Sequence, residues 1–314
     1  MKLASKFLCI LVSVSAASAF AIAEPPSNFR QAKIVAKNNV FYNRVNKGLG
    51  TLYCGCNWTF RGESGGVVDK ESCGYETRRN EVRASRIEYE HVMPISNIGR
   101  ARQCWQDGGR KHCQRVDPVF NQIEANLHNL DIAIGEVNAD SSNYLFSEFT
   151  NQTASQYGQC DLHIDFKSRL AQPRAEVRGM VARIYLFMHD LYDIRPSSQQ
   201  LRLLETWNRA YPVSDWEIER DWRIKGVMGY SNPYVVNSNL SYSDRPAQVI
   251  ELNITSEQNH NAKIDRVKCN KRSKIYHLSN GCPSFNSVGS SNTVYFDNEN
   301  EAIEAGFRKA GNCT

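Results

Sequence analysis

The sequence predicts an α+β protein: a mainly helical domain around a short strand, followed by a smaller α+β module. Three observations carry that reading. Residues 174–192 set Val177, Met180, Val181, Ile184, Met188 and Leu191 at three- and four-residue spacing, the apolar stripe of an amphipathic helix. Residues 84–92 alternate apolar and polar side chains, the period of a strand. Residues 236–266 are rich in Asn and Ser, a linker that sets off a cysteine-bearing tail.

Taken in order, residues 1–23 read as a secretory signal. Lys2 and Lys6 precede an apolar stretch over 7–14, and Ala21-Ile22-Ala23 supplies a small-residue cleavage site. That stretch is too short for a spanning helix, and no other segment is a membrane candidate. The domain that follows runs over 24–235, the linker over 236–266 and the tail module over 267–314. Mixed apolar spacing predicts a helix over 28–50. Cys54-Gly55-Cys56 and Gly65-Gly66 mark loops, and Gly108-Gly109 breaks the chain in what reads as a long loop. Residues 117–130 and 136–145 read as short helices. A second apolar stripe over 199–210 places Leu201, Leu204 and Trp207 on one helix face, and Val249 to Ile254 reads as a strand inside the linker.

The chain holds ten cysteines, of which Cys9 lies in the signal segment. Export and this density together favour disulfides. Six of the remaining nine (Cys54, Cys56, Cys73, Cys104, Cys113 and Cys160) fall in the large domain, an even number suited to three bridges. Spacing does not choose among the 15 or so pairings that six cysteines allow. Three more, Cys269, Cys282 and Cys313, fall in the tail.

A net charge of +5 is only mildly basic, but residues 74–115 carry nine Arg or Lys against five Asp or Glu. Such a balance suits a polyanion, and equally a solvated face. Within that stretch, Glu90 stands directly before His91 in an otherwise apolar, aromatic run. Burying a charge without a partner is costly, so packing alone does not account for the pair. A metal ligand, a base of pKa about 6.5 and cations for phosphate lie together in sequence, which points to metal-assisted phosphodiester cleavage.

At these residues the chain resembles the endonuclease I family of bacterial periplasmic and secreted nucleases. The likeness continues through Arg-Gln-Cys-Trp-Gln-Asp-Gly-Gly-Arg at 102–110, Asp-Pro-Val-Phe at 117–120 and Glu-Ala-Asn-Leu-His-Asn-Leu at 124–130. It goes on with Gly-Glu-Val-Asn at 135–138, Ser-Asn-Tyr at 142–144 and Tyr-Gly-Gln-Cys at 157–160, and spans residues 28–235 in order.

The resemblance implies a ββα-metal (His-Me finger) core. It also implies an Mg²⁺-dependent, sequence-nonspecific endonuclease acting on DNA and RNA in the periplasm or outside the cell. Glu90 and Asn138 are the implied Mg²⁺ ligands, His91 the general base and Arg110 the phosphate clamp. Arg102, Lys111 and Arg115 are candidate backbone contacts, and Glu124 and Asn129 candidate supports behind the site. Neighbours in a regular strand face opposite ways, so the strand is expected to twist or end near Pro94 if Glu90 and His91 serve one phosphate. Two departures stand out. Ser141-Ser142 replaces an expected Arg, and Ile218 and Asn237 stand where another cysteine pair is expected. The alternative is a catalytically silent nucleic-acid-binding protein on the same scaffold. No protein-partner surface is legible, and the chain reads as a monomer.

The tail resembles the small zinc-binding module of the Ada DNA-repair methyltransferase. The likeness rests on Lys274-Ile275-Tyr276-His277, Gly281-Cys282-Pro283, Val294-Tyr295-Phe296 and Gly306-Phe307-Arg308. Two readings stay open. Cys269, His277, Cys282 and Cys313 make a structural Zn²⁺ site, or Cys282 and Cys313 form a disulfide. An oxidising compartment favours the disulfide.

Overall fold

Asn28 opens the first helix, its side chain accepting the Gln31 N–H, as polar N-caps do. Helix α1 (Phe29–Val35) passes into a π-helical turn, Ala36–Val40, and stops well short of residue 50. Asn38 and Asn39 are weak helix formers. The computed structural model describes residues 25–44, 49–150, 155–237, 239–242, 267–278, 282, 284, 293–296 and 299–313. The signal segment and the strand expected at 249–254 lie outside them. The chain divides into two units, Met1–Gln248 and Val249–Thr314.

In the first unit, β1 (Asn57–Arg61) and β2 (Gly65–Asp69) form an antiparallel hairpin in which Arg61 faces Gly65. Gly65 and Gly66 therefore begin a strand instead of a loop. Helix α2 (Glu81–Ala84), capped by Asn80, takes the start of the stretch expected to be extended, so β3 runs only over Ile87–His91. Helix α3 (Ile95–Gly99) follows from Pro94. Helix α4 (Gln103–Val116) is interrupted at Gly108 and at Gly109, where φ is +67°. The break expected there is real, but its flanks are helical, and the Cys104–Cys113 disulfide joins them across it.

Helix α5 (Pro118–Glu124) has Pro118 in its first turn and Asp117 as its cap, accepting the Phe120 N–H at 2.9 Å. A 3₁₀ turn over Leu127–Asn129 then leads into β4 (Leu130–Ile134), where a helix end was expected. All five residues of β4 are buried, so the strand has no two-residue alternation to reveal it. β4 pairs antiparallel with β3, with Glu90 opposite Asp131 and His91 opposite Leu130. It runs straight into α6 (Gly135–Ser141), which carries Asn138. A small sheet of β5 (Leu145–Phe146), β6 (His163–Asp165) and β7 (Leu170–Gln172) follows, in the order β5-β7-β6.

Helix α7 (Ala175–Leu191) is buried nearly all round and packs on α8 (Ser198–Ala210). The buried Arg183 ties three helices. It pairs with Glu217 of α9 (Asp215–Met228) at 2.6 Å and donates to the Tyr211 carbonyl, past the end of α8, at 2.9 Å. Arg220 of α9 donates to the carbonyls of His128 and Leu130 at 2.9 and 2.8 Å, which fixes the entry to β4 from behind. Helix α10 (Pro233–Val236) closes this part. Among the described residues no helix is long and apolar enough to cross a membrane.

Three disulfides staple this unit: Cys54–Cys160, Cys56–Cys73 and Cys104–Cys113. The second unit holds β8 (Val267–Asn270), β9 (Ile275–His277), β10 (Thr293–Phe296), α11 (Glu299–Glu304) and β11 (Arg308–Lys309). Its sheet order is β10-β8-β9-β11, over a core of Val267, Cys269, Tyr276, Ala302 and Phe307.

Of the two readings of the tail, the structure carries the disulfide and lends the zinc site no support. Cys282 and Cys313 are joined to each other, so two of the four ligands are spent. His277 Nδ1 lies 2.8 Å from Ser284 Oγ, and Cys269 is buried and free. Among the described residues no three His, Cys, Asp or Glu side chains converge as a metal cage.

Candidate active site

One cleft of about 630 Å³ opens where β3 meets α6 and α4, and Glu90, His91, Arg110 and Asn138 all border it. The strand ends at His91. Beyond it, Asn129 clamps the chain, its Oδ1 accepting the Met93 N–H at 2.8 Å and its Nδ2 donating to the Met93 carbonyl at 2.9 Å. Glu90 and His91 both border the cleft although both lie within the β3–β4 register, and the strand ends directly after them. Asn129, expected behind the site, holds this backbone turn.

His91 is fixed from two sides. Its Nε2 lies 2.8 Å from the Glu124 carbonyl oxygen, an acceptor only, so Nε2 carries the proton and Nδ1 keeps the lone pair. The Phe29 ring lies against the imidazole at 4.7 Å between centroids. Burial pushes the His91 pKa down to about 3; the Glu124 hydrogen bond opposes this shift and the Arg110 charge adds to it. The ring is therefore neutral at pH 7.

Glu124 acts through two groups. Its carbonyl sets the His91 tautomer, and its carboxylate receives Arg110 Nε and, at 2.9 Å, Gln114 Nε2. Arg110 also lies over the Phe29 ring, 5.3 Å from its centroid. Only Nε of the guanidinium is held by Glu124, which leaves both terminal nitrogens as donors. The Cys104–Cys113 bridge ties the half-helix carrying Arg110 to the rest of α4.

Glu90 is 5% exposed, and its carboxylate accepts the Tyr53 hydroxyl at 3.0 Å. Burial raises its pKa to about 8; the Tyr53 hydrogen bond works against this and the neighbouring Glu88 charge adds to it. Asn138 donates through Nδ2 to Glu88 Oε2 at 3.1 Å, which turns its carbonyl oxygen away from Glu88. Glu88 is itself gripped by Arg83 and Arg86, with Arg86 donating at 2.7 Å. Gly135 makes room for this arrangement, because a Cβ there would lie 2.9 Å from Glu88 Oε1 and 2.7 Å from the Arg83 carbonyl.

These donors fit a hard divalent cation. A buried carboxylate whose hydrogen bond comes from a neutral phenol is short of positive charge. One such carboxylate and one amide oxygen leave several octahedral positions for water and phosphate, the habit of Mg²⁺.

The other cationic candidates stand elsewhere. Arg102 is bidentate on Asp117 at 2.6 and 2.9 Å, so it fixes the cap of α5 and is not free for substrate. Lys111 and Arg115 are exposed on α4 outside the cleft lining. Tyr53, Glu88 and Phe29 were not singled out from the sequence. Glu88 alone left a signal, standing two residues before Glu90 on the same strand.

The sequence model of the endonuclease I family matches residues 28–239. An extracellular deoxyribonuclease of Aeromonas hydrophila is 48% identical over 186 residues, 59% of this chain and 80% of that protein. A periplasmic deoxyribonuclease of the same species is 47% identical over 186 residues, 59% of this chain and 77% of the relative. Endonuclease-1 of Buchnera aphidicola subsp. Baizongia pistaciae is 43% identical over 210 residues, 66% of this chain and 82% of the relative.

Proposed function

From the premise that the chain belongs to the endonuclease I family, we propose an exported, sequence-nonspecific endonuclease that hydrolyses phosphodiester bonds of DNA and RNA. We read β3, β4 and α6 as its ββα-metal core, with Mg²⁺ at Glu90 and Asn138 and His91 as general base. The observation that carries this reading is the convergence of Glu90, His91, Arg110 and Asn138 on one cleft. Relatives named as extracellular and periplasmic deoxyribonucleases support export and DNA as substrate.

Each group has a task set by its surroundings. His91 presents Nδ1 to a water and takes its proton while the Glu124 carbonyl holds Nε2–H. An anionic phosphate beside the ring favours its protonated form and raises its basicity from the low value burial imposes. Arg110, anchored through Nε, directs its terminal nitrogens to phosphate oxygens and follows the charge that builds on them. A divalent cation held by Glu90 and Asn138 would supply Lewis-acid neutralisation of the phosphate. Contacts of this kind read the backbone and carry no base information, hence the broad specificity.

The test is degradation of a plasmid and of an unrelated RNA by the oxidised protein with Mg²⁺, with EDTA, and with His91→Ala in parallel. Cleavage that needs both the metal and His91 is expected. Binding of DNA without cleavage would favour the silent binding protein instead.

A further inference from the structure

The family match ends at residue 239 and leaves the C-terminal unit without a task. Among its described residues the charges are segregated. Residues 267–278 and 306–313 contain six Lys or Arg and no Asp or Glu, while Glu299, Glu301 and Glu304 all sit on α11. Topology gathers the cations at one end of the sheet. The turn at 271–274 links β8 to β9, and β11 lies parallel to β9, with Arg308 beside Ile275 and its N–H on the Lys274 carbonyl at 3.0 Å. Lys271, Arg272, Lys274, Arg308 and Lys309 are all exposed there.

The turn that presents them is fixed. Asn270 Oδ1 accepts the N–H groups of Arg272 and Ser273 at 2.9 and 3.2 Å, and the Lys274 N–H returns to the Asn270 carbonyl at 2.9 Å. Lys274 Nζ lies over the Phe307 ring at 4.5 Å, and Lys309 reaches Glu299 at only 3.9 Å. Among the described residues no carboxylate pairs with Lys271, Arg272 or Arg308. Exposed cations left unpaired at the end of a rigid turn form a concentrated positive surface.

We infer that this end of the C-terminal unit is a second nucleic-acid contact, gripping phosphates of a strand whose cleavage takes place in the first unit. The choice of nucleic acid as the polyanion rests on the nuclease reading. A membrane surface fits less well, because stable anchoring needs an apolar signal beside the basic one. The large exposed apolar side chain described in this unit, Ile303, lies on the acidic helix α11 and not among the cations.

The test is the salt dependence of binding by the full chain to a labelled DNA duplex in EDTA, where cleavage is off. Wild type is compared with Lys271→Ala/Arg272→Ala/Arg308→Ala, whose exposed, unpartnered side chains leave the fold unchanged by thermal unfolding. Three lost phosphate contacts should make the slope of log K against log salt shallower by about 2 to 3. The single Arg272→Glu variant should shift it in the same direction. An unchanged slope would overturn the inference. So would binding of the three cations to anionic phospholipid vesicles with DNA affinity unaltered. A wild type that fails to cleave with Mg²⁺ yet shows the slope change would sink the nuclease reading and leave the contact standing.

Discussion

Glu90 and Asp131 are register partners on one pair of strands, both almost wholly buried, and they are provided for in opposite ways. Asp131 has two cations built in, Arg220 at 3.5 Å and Arg44 at 3.9 Å. Glu90 has a tyrosine hydroxyl and a neighbouring carboxylate. The buried histidines repeat the contrast. His91 lines the cleft, whereas His128 is sealed between Phe187 and Tyr230, with Nε2 3.1 Å from the Tyr230 carbonyl oxygen. Burial depresses both imidazoles to about 3. Burial and a shifted pKa therefore do not mark a functional group. What sets Glu90 and His91 apart from Asp131 and His128 is that they border the cleft.

His91→Ala should lower cleavage by about 10²- to 10⁴-fold and, because the ring borders the open cleft, cost less stability than the same change at His128. His128→Ala should do the reverse, costing about 2–4 kcal/mol through the lost ring and cavity. Equal stability losses in the two variants would erase the distinction.

Next come the carboxylates. Asp131→Ala strands Arg44 and Arg220 in the interior, a loss of about 3–5 kcal/mol by urea unfolding. Glu90→Gln removes a buried charge that has no ion-pair partner among the described residues, only the more distant Arg83 charge, and in EDTA at pH 8 it should raise stability by on the order of 1 kcal/mol. If Glu90→Gln destabilised as much as Asp131→Ala, the unpaired status of Glu90 would be refuted.

The pH dependence separates the two kinds of group more finely. The folded pKa of His128, about 3, lies below its ordinary 6.5, so the unfolded chain binds the extra proton between those values. Stability from this group is complete above pH 6.5 and is lost as pH falls, by about 1.4 kcal/mol per unit. Glu90 runs the other way, because its pKa of about 8 exceeds 4.5 and metal-free stability declines as pH rises between them. Thermal melts of His128→Phe and Glu90→Gln in EDTA should flatten the acid and the alkaline limb respectively.

The smallest expected effect concerns Glu88, which orients the Asn138 amide. Glu88→Gln should weaken Mg²⁺ binding by about 10- to 100-fold, the usual consequence of losing a support behind a ligand. Calorimetric titration with Mg²⁺ reads this without any turnover. An unchanged affinity would reduce Glu88 to a structural carboxylate.

How much of this was legible follows the same physics. The long helices at 175–191 and 198–210 were readable because apolar periodicity survives over many residues. β4 was not, since its five consecutive buried positions carry no alternation. Glu90, His91, Asn138 and Arg110 were found through ordered motifs, and all four border the cleft. Arg102 looked equally available, yet Asp117, fifteen positions on, occupies it, and only the fold reveals that pairing. Tyr53 was invisible for a similar reason, because it meets Glu90 from a distant loop beside the Cys54–Cys160 bridge. In the tail the Cys282–Cys313 disulfide was legible as the favoured of two readings, because an exported chain meets an oxidising compartment.

In the proposed function Glu90, buried beside the Tyr53 hydroxyl, takes its compensating charge from a bound divalent cation. The most direct test is the shift in melting temperature caused by Mg²⁺ at pH 8, measured for wild type and for Glu90→Gln. Mg²⁺ should raise the melting temperature of wild type and leave Glu90→Gln where EDTA leaves it. An equal rise in both proteins would place the ion elsewhere and rule out Glu90 as its ligand.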